Sequence, residues 1–474
     1  MNMKRELAKN TLIIILGRFS TQLISLFLLP LYTVYLSPKE LGFVDLVVTY
    51  IALLVPVLTI QMEMAGFRFL IDARGDESKK KAVISNILQM VMGILALLGV
   101  VYLLFARFIN LPYESIILLN IGASIFASVY LQFARGLGDN KRFAIASTLT
   151  GVATFLATLL LVVRGGAGAG GVLGALAIAN LTCAIYLFWA LKLYSYIDLF
   201  KGSRELKRKL LHYSLPLVPN GLSWWVISVS DRTIISIFLG LSANGIYSVS
   251  NKYAAIFASV FAIFSMALTE SASLHINTKG GDKFLSETNS TSMKLFGGFG
   301  LLLIAAVPFV FKFLIGPEFQ QASQYIPILI VAALCNAAVG IYSAIYVAKK
   351  MTKQVATTSI AAATINIVLT LAFIRTLGIY AAALATVVAY GSMAVFRHYD
   401  LKKYIHISYE KHLLLKIGMA YAAVIGLYYI KSPIANLINI ALAAAIAVLL
   451  NRSTIGSAKN MFFGMLKAKG GKTA

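Results

Sequence analysis

The sequence is short of charge, and shortest of acid. Only 13% of its 474 residues are charged, and 18 Asp and Glu stand against 42 Lys and Arg. With 59% hydrophobic residues and a mean hydropathy of +0.82, that shortage excludes a soluble domain, whose surface needs far more polar area. Cysteine is nearly absent. Cys183 and Cys335 both fall inside apolar runs, so they read as small core residues and not as a disulfide framework. The five histidines, His212, His275, His398, His406 and His412, lie in or beside basic loops without metal-ligand spacing. No G-x-x-x-x-G-K-[ST] occurs, which excludes ATP binding through a P-loop. Gly166, Gly168 and Gly171 in RGGAGAGGVLG match a dinucleotide fingerprint, but no strand precedes them and they flank a span. Gly170 and Gly174 suit close helix packing or a flexible turn instead. No cofactor and no metal is therefore expected. Long polar loops are lacking too: the longest on the expected outer side, KFLIGPEFQQAS, is about a dozen residues. No loop is large enough for a catalytic domain, so an enzyme is not expected.

What is present is a series of apolar runs. A span needs about 20 mainly apolar residues, and fourteen such runs lie near 11–36, 41–71, 83–108, 115–135, 143–163, 171–194, 213–239, 245–272, 292–315, 324–348, 354–375, 378–397, 413–430 and 433–451. The expected fold is an all-α polytopic membrane protein. MNMKRELAKN is basic, but a long apolar run without a small-residue cleavage site follows, so it reads as the lead into the first span.

Charge orients these spans. With the N-terminus inside, the outer loops hold only Lys39, Arg107, Arg164, Lys312, Arg375 and Lys431. Arg18, Arg68, Arg232 and Lys252 fall within spans, and the remaining lysines and arginines, Arg397 among them, fall to the inner loops. That bias is the positive-inside pattern, with both termini cytoplasmic. It also explains the net charge of +24 without nucleic acid as a partner. The basic loops are topology signals with a secondary attraction to anionic membrane lipids.

Charges inside spans are costly, about 2.5–3.5 kcal/mol each at a bilayer centre by insertion scales, and mark functional positions or buried ion pairs. On the first span Thr11, Arg18, Gln22 and Ser25 share a helix face; on the eighth Ser248, Lys252, Ser259 and Glu270 do; on the second Asp45, Thr49, Pro56, Thr59 and Glu63 do. Asp231 and Arg232 are neighbours, about 100° apart around their helix, and do not simply neutralise each other. The expected arrangement pairs Asp231 with Lys252 and leaves Arg232 for a ligand, with the reverse open to the spacing. Glu63 with Arg68 reads as an ion pair, or Arg68 snorkels to the interface.

The two halves repeat weakly. YLSPKELGFVDLV from Tyr35 aligns with FLGLSANGIYSVS from Phe238, matching Leu36 and Gly42 with Leu239 and Gly245. An even number of spans per copy preserves orientation, giving a pseudo-two-fold axis along the membrane normal.

LLPLYTVYLSPKELGFVDLVVTYIALLVP and SDRTIISIFLGLSANGIYSVSNKYA resemble the polysaccharide and O-antigen flippases of the multidrug/oligosaccharidyl-lipid/polysaccharide (MOP) exporter superfamily. The carrying parts are LSPKELG, the Asp-Arg pair of the seventh span and GIYS opening the eighth. The resemblance implies a V-shaped pair of six-helix lobes, 1–200 and 201–400, with two extra helices and a basic tail at 401–474 that help hold a lipid tail. It implies alternating-access flipping of an undecaprenyl-pyrophosphate-linked oligosaccharide (an O-antigen or capsule repeat unit) across a bacterial cytoplasmic membrane. The related lipid II flippases carry a cavity arginine in the first span, and Arg18 matches it. On this reading Arg18, Arg232, Lys252 and Arg68 hold the pyrophosphate, because guanidinium offers paired donors in a fixed fork and keeps its charge. Gln22, Ser25, Asn220, Ser223 and Asn251 bond the glycan, and Asp45, Glu63, Asp231 and Glu270 form ion pairs or couple transport to an ion. The protein would act as a monomer, beside a polysaccharide polymerase and glycosyltransferases. A cation-coupled drug or metabolite antiporter and a lipid II flippase are the alternatives.

Overall fold

The computed structural model describes residue 24 and residues 27–108, 111–198, 202–276, 280–349, 351–405 and 412–456. Among them there is helix and no strand. Among the described residues eleven helices are long and apolar enough to cross a membrane, and each coincides with one of the runs read from the sequence. The first run lies mostly outside the described residues. The seventh is the helix Leu217–Leu239, and the thirteenth forms a shorter apolar helix, Leu413–Tyr429.

The chain divides into two compact units, Met1–Ser248 and Val249–Ala474. In the first, a short helix α1 (27–35) leads into α2 (Pro38–Leu58). Next come α3 (Met62–Asp72), α4 (Glu77–Phe105), α5 (Glu114–Leu137), α6 (Asn140–Thr158), α7 (Gly168–Ala190), α8 (Arg204–Ser214), α9 (Leu217–Leu239) and the start of α10 (Leu241–His275). Its core joins Met62, Ala65 and Leu70 of α3 to Ile84 and Ile87 of α4, Val129 and Phe133 of α5, and Leu187 of α7, all fully or nearly fully buried. Gly66 lets α3 approach Phe133, since a Cβ there would lie 2.7 Å from its ring. Arg74, after α3, donates to the carbonyls of Gly136 and Arg135 (2.8 and 3.0 Å) and so satisfies the open C-terminal end of α5. Among the basic loop residues, this one has a structural task beyond topology.

The second run is not one continuous helix. α2 ends at Leu58 and α3 begins at Met62, with Ile60 (φ 53°) and Gln61 (φ 57°) left-handed between them. Pro56, inside α2, lacks the N–H that the preceding turn would use. A β-branched residue at positive φ is strained by roughly 1–3 kcal/mol, so packing must hold this break. Gln61 meets α9, where a Cβ on Gly221 would lie 2.7 Å from Gln61 Nε2. Pro56, Val57 and Gln61 with Val218, Gly221 and Leu222 line a crevice of about 20 Å³ there.

The second unit continues α10 and adds α11 (Gly281–Leu314), α12 (Ile326–Ala348), α13 (Thr352–Leu377), α14 (Ile379–Leu401), α15 (Leu413–Tyr429) and α16 (Pro433–Leu450). α12, α13 and α14 pack through small and apolar side chains around Val339, Ala362, Ala389 and Met393. Arg397 belongs to this bundle. Its position near a basic segment suggests an inner loop, yet it sits inside α14 and is only 1% exposed. Its guanidinium donates to Thr358 Oγ1 (Nε 3.0 and NH2 2.8 Å), Ser343 Oγ (2.5 Å), Ser359 Oγ (3.3 Å) and the carbonyls of Val339 and Val355 (3.3 and 3.2 Å). The extra helices dock on α11: Gly298 faces the Ala447 backbone of α16, and Tyr421 of α15 donates to the Gly297 carbonyl (3.2 Å). Their other sides expose Leu414, Leu415, Met419, Leu437, Ile438 and Leu449, an apolar face suited to lipid.

Candidate translocation site

The first unit brings the charged residues of the second and seventh spans together where α2 and α10 begin. The start of α2 is well specified: Pro38 occupies its first turn, the Ser37 hydroxyl accepts from the Glu40 N–H (3.3 Å), and Glu40 Oε2 accepts from the Ser37 N–H (2.9 Å). α9 ends at Gly240 (φ 88°) and α10 starts at once. The two starting turns then cross with almost no gap. A Cβ on Gly42 would lie 1.8 Å from the Leu241 carbonyl oxygen and 2.8 Å from the Gly245 nitrogen. One on Gly245 would lie 1.9 Å from the Pro38 carbonyl oxygen and 3.1 Å from the Gly42 nitrogen. Only glycine fits at either place.

This contact is symmetric in the sequence. Pro38 and Leu241, Gly42 and Gly245, and Asp45 and Ser248 are each separated by 203 residues, the spacing of the repeat. Ser248 Oγ donates to Asp45 Oδ1 (2.7 Å), so one pair of repeat-mates touches directly. Equivalent residues meet each other only near a two-fold axis. Asn244 Nδ2 adds a buried bond to the Gly42 carbonyl (2.9 Å).

The charges lie one turn deeper. Arg232 NH1 donates to Asp45 Oδ1 (3.3 Å) and Thr49 Oγ1 (3.2 Å). Asp231 accepts from the Arg232 N–H (2.8 Å) through Oδ1 and from the Tyr247 hydroxyl through Oδ2. Asp45 and Asp231 are buried, at 8% and 9% exposure, whereas the Arg232 side chain is 25% exposed. Arg232 is thus bound through NH1, and its buried Nε has no partner among the described residues. A guanidinium half-engaged in this way can still offer donors to an anion.

The remaining expected residues are placed as follows. Arg18, Gln22 and Ser25 lie outside the described residues, as do the side chains of Asn220 and Ser223 in α9 and of Glu270 in α10. Asn251 and Lys252 are half-buried in the second unit's part of α10. Arg68 bonds Asp72 (2.5 Å) and is half-exposed near the end of α3, beyond the helix break and more than twenty residues along the chain from Asp45. Glu63 bonds Thr59 (2.6 Å) and not Arg68. Tyr247 and Asn244 carried no charge or spacing signal, and Asp45 as the partner of Arg232 had none beyond its helix face.

Residues 7–269 match the family of polysaccharide biosynthesis proteins. The chain belongs to that family. Its fold is shared with MOP superfamily transporters of known structure. Lipid II flippase MurJ in an inward closed conformation aligns with a TM-score of 0.69 at 17% identity, over 94% of this chain and 100% of MurJ. An inward-facing multidrug resistance MATE transporter aligns at 0.65 and 14%, over 82% and 99%. A MOP superfamily transporter from Pyrococcus furiosus aligns at 0.59 and 15%, over 85% and 96%. No curated protein matches the chain in sequence. Family and fold together make this a multi-pass membrane protein of the transporter or flippase kind.

Proposed function

We propose that this family member flips an undecaprenyl-pyrophosphate-linked oligosaccharide, an O-antigen or capsule repeat unit, from the inner to the outer leaflet of a bacterial cytoplasmic membrane by alternating access. The observation that supports it most is Arg232, a guanidinium of α9, the helix at the seventh expected span, which is bound through NH1 and partly exposed. A drug antiporter selecting cations has no use for a fixed positive charge at this depth. A pyrophosphate does, because its oxygens pair with the guanidinium fork. Arg18 from the first span and Lys252 from α10 are the further cations of the same reading, with Gln22, Ser25, Asn220, Ser223 and Asn251 as glycan contacts and Arg68 at the membrane edge. The exposed apolar sides of α15 and α16 would lie along the acyl chain. Lobes at 1–200 and 201–400, action as a monomer beside a polymerase, and inward-placed termini belong to the same proposal.

The test is complementation of a strain defective in O-unit or capsule export. The wild-type chain restores export, and Arg18→Ala with Arg232→Ala together leave lipid-linked sugar on the inner leaflet. Normal export by that double variant at equal protein level rules out the assigned cations.

A further inference from the structure

Glu63 carries an inference that rests on the transporter reading but goes beyond its cargo. Its side chain is 5% exposed, at the start of α3, immediately after the helix break. Among the described residues no cation pairs with it, and its hydrogen-bond partner is the Thr59 hydroxyl, 2.6 Å from Oε2. Thr59 is fully buried, and the same hydroxyl oxygen lies 2.8 Å from the Val55 carbonyl oxygen. A hydroxyl has one proton. If it goes to Val55, the short contact with Glu63 needs a proton from the carboxyl. If Glu63 is ionised, Thr59 must turn its proton to Glu63 and leave two bare oxygens facing each other across 2.8 Å. A buried carboxylate without a cation is also strongly disfavoured.

Among the described residues the surroundings supply no compensating charge. α4 faces this part of α3 with Ile84 and Ile87, and α5 with Phe133 and Tyr130; the titratable groups of that shared core are Tyr130 and Cys183, with Tyr186 and Tyr196 packed against it, and none is a cation. Arg135 of α5 lies over the Phe67 ring, and Tyr213 of α8 packs on Phe69 further along α3. On its own segment, Asp45 is bound by Arg232 and Ser248, and Arg68 by Asp72.

We propose that Glu63 is a proton-binding site of the transport cycle, protonated in the conformation seen here, and that proton release is coupled to the break between α2 and α3. In the protonated state the carboxyl O–H donates to Thr59 and the Thr59 O–H donates to the last turn of α2, so both halves of the span are joined across the break. Loss of the proton turns the Thr59 hydroxyl to the Glu63 carboxylate and takes its hydrogen bond from the Val55 carbonyl, which loosens the last turn of α2 beside the strained Ile60. Proton binding thereby selects one arrangement of a broken helix that packs on α9.

Infrared difference spectroscopy of the purified full-length protein in lipid nanodiscs tests the site without any cargo. At neutral pH the wild type should show a protonated-carboxyl C=O band that Glu63→Gln removes and Thr59→Val shifts. In cells, export by Glu63→Gln should no longer respond to collapse of the pH gradient. A wild-type spectrum without that band, a band unchanged in Glu63→Gln, or an unaltered response of Glu63→Gln to gradient collapse overturns the proposal. Failure of the wild type to restore export in the complementation test would instead remove the cargo reading and leave the infrared result standing. Thr59→Val keeps the test available should Glu63→Gln misfold.

Discussion

Gly42 and Gly245 show how much a single hydrogen atom decides. Each replaces a side chain that would lie 1.8–1.9 Å from a carbonyl oxygen of the facing turn, and the hydrogen bonds from Ser248 to Asp45 and from Asn244 to Gly42 depend on that closeness. Gly245→Ala is therefore expected to push α2 and α10 apart and to lower stability by about 1–3 kcal/mol, the usual cost of overpacking. Export should fall with it. Thermal melting of the purified variant reads the first effect, and an unchanged melting temperature would mean the turns do not meet. Both glycines were legible as repeat-mates at 203-residue spacing. That they touch each other was not, because an alignment of two segments carries no distance between them. Arg232 teaches the same lesson. Its presence in a span marked it as notable, but its partner Asp45 is 187 residues away, and helix spacing relates only residues of one helix.

At the scale of elements, the apolar runs were readable because a helix crossing a bilayer must satisfy its own backbone and hide it behind about 20 apolar residues. The break at Ile60 and Gln61 was not readable: the run stays apolar through it, and Pro56 was the sole hint. Arg397 was misread for a related reason. It lies near a basic inner segment, and only the packing of α12 and α13 on α14 shows its guanidinium enclosed. There it ties Ser343 and Val339 of α12 to Val355, Thr358 and Ser359 of α13. Lysine keeps the charge but cannot reach acceptors on two helices from one planar fork. Arg397→Lys should thus destabilise the protein by about 1.5–3 kcal/mol, the worth of a charge-assisted bond, seen as a lower melting temperature. No change would show that the fork does not hold the helices.

For the whole molecule, the question is what returns the unloaded carrier. An inside-negative potential is worth ~2.3 kcal/mol per charge per 100 mV. Asp45 already balances Arg232, so the proposed net charge of the unloaded site rests on Arg18. Collapsing the potential in proteoliposomes with valinomycin and potassium, at constant pH, is expected to slow turnover. Arg18→Gln should weaken that response and Glu63→Gln should preserve it. Turnover indifferent to the potential would remove the electrical account and leave the pH gradient as the driving force.

The sequence by itself determined that the chain lives in a membrane, where the described apolar helices run and which charges are out of place. These follow from local quantities, hydropathy and charge, that the bilayer reads one segment at a time. Only the tertiary structure decided which charges neutralise each other, where a span breaks, and that the two repeats meet at their glycines. Those outcomes depend on distances between segments far apart in the chain, which packing sets and composition does not.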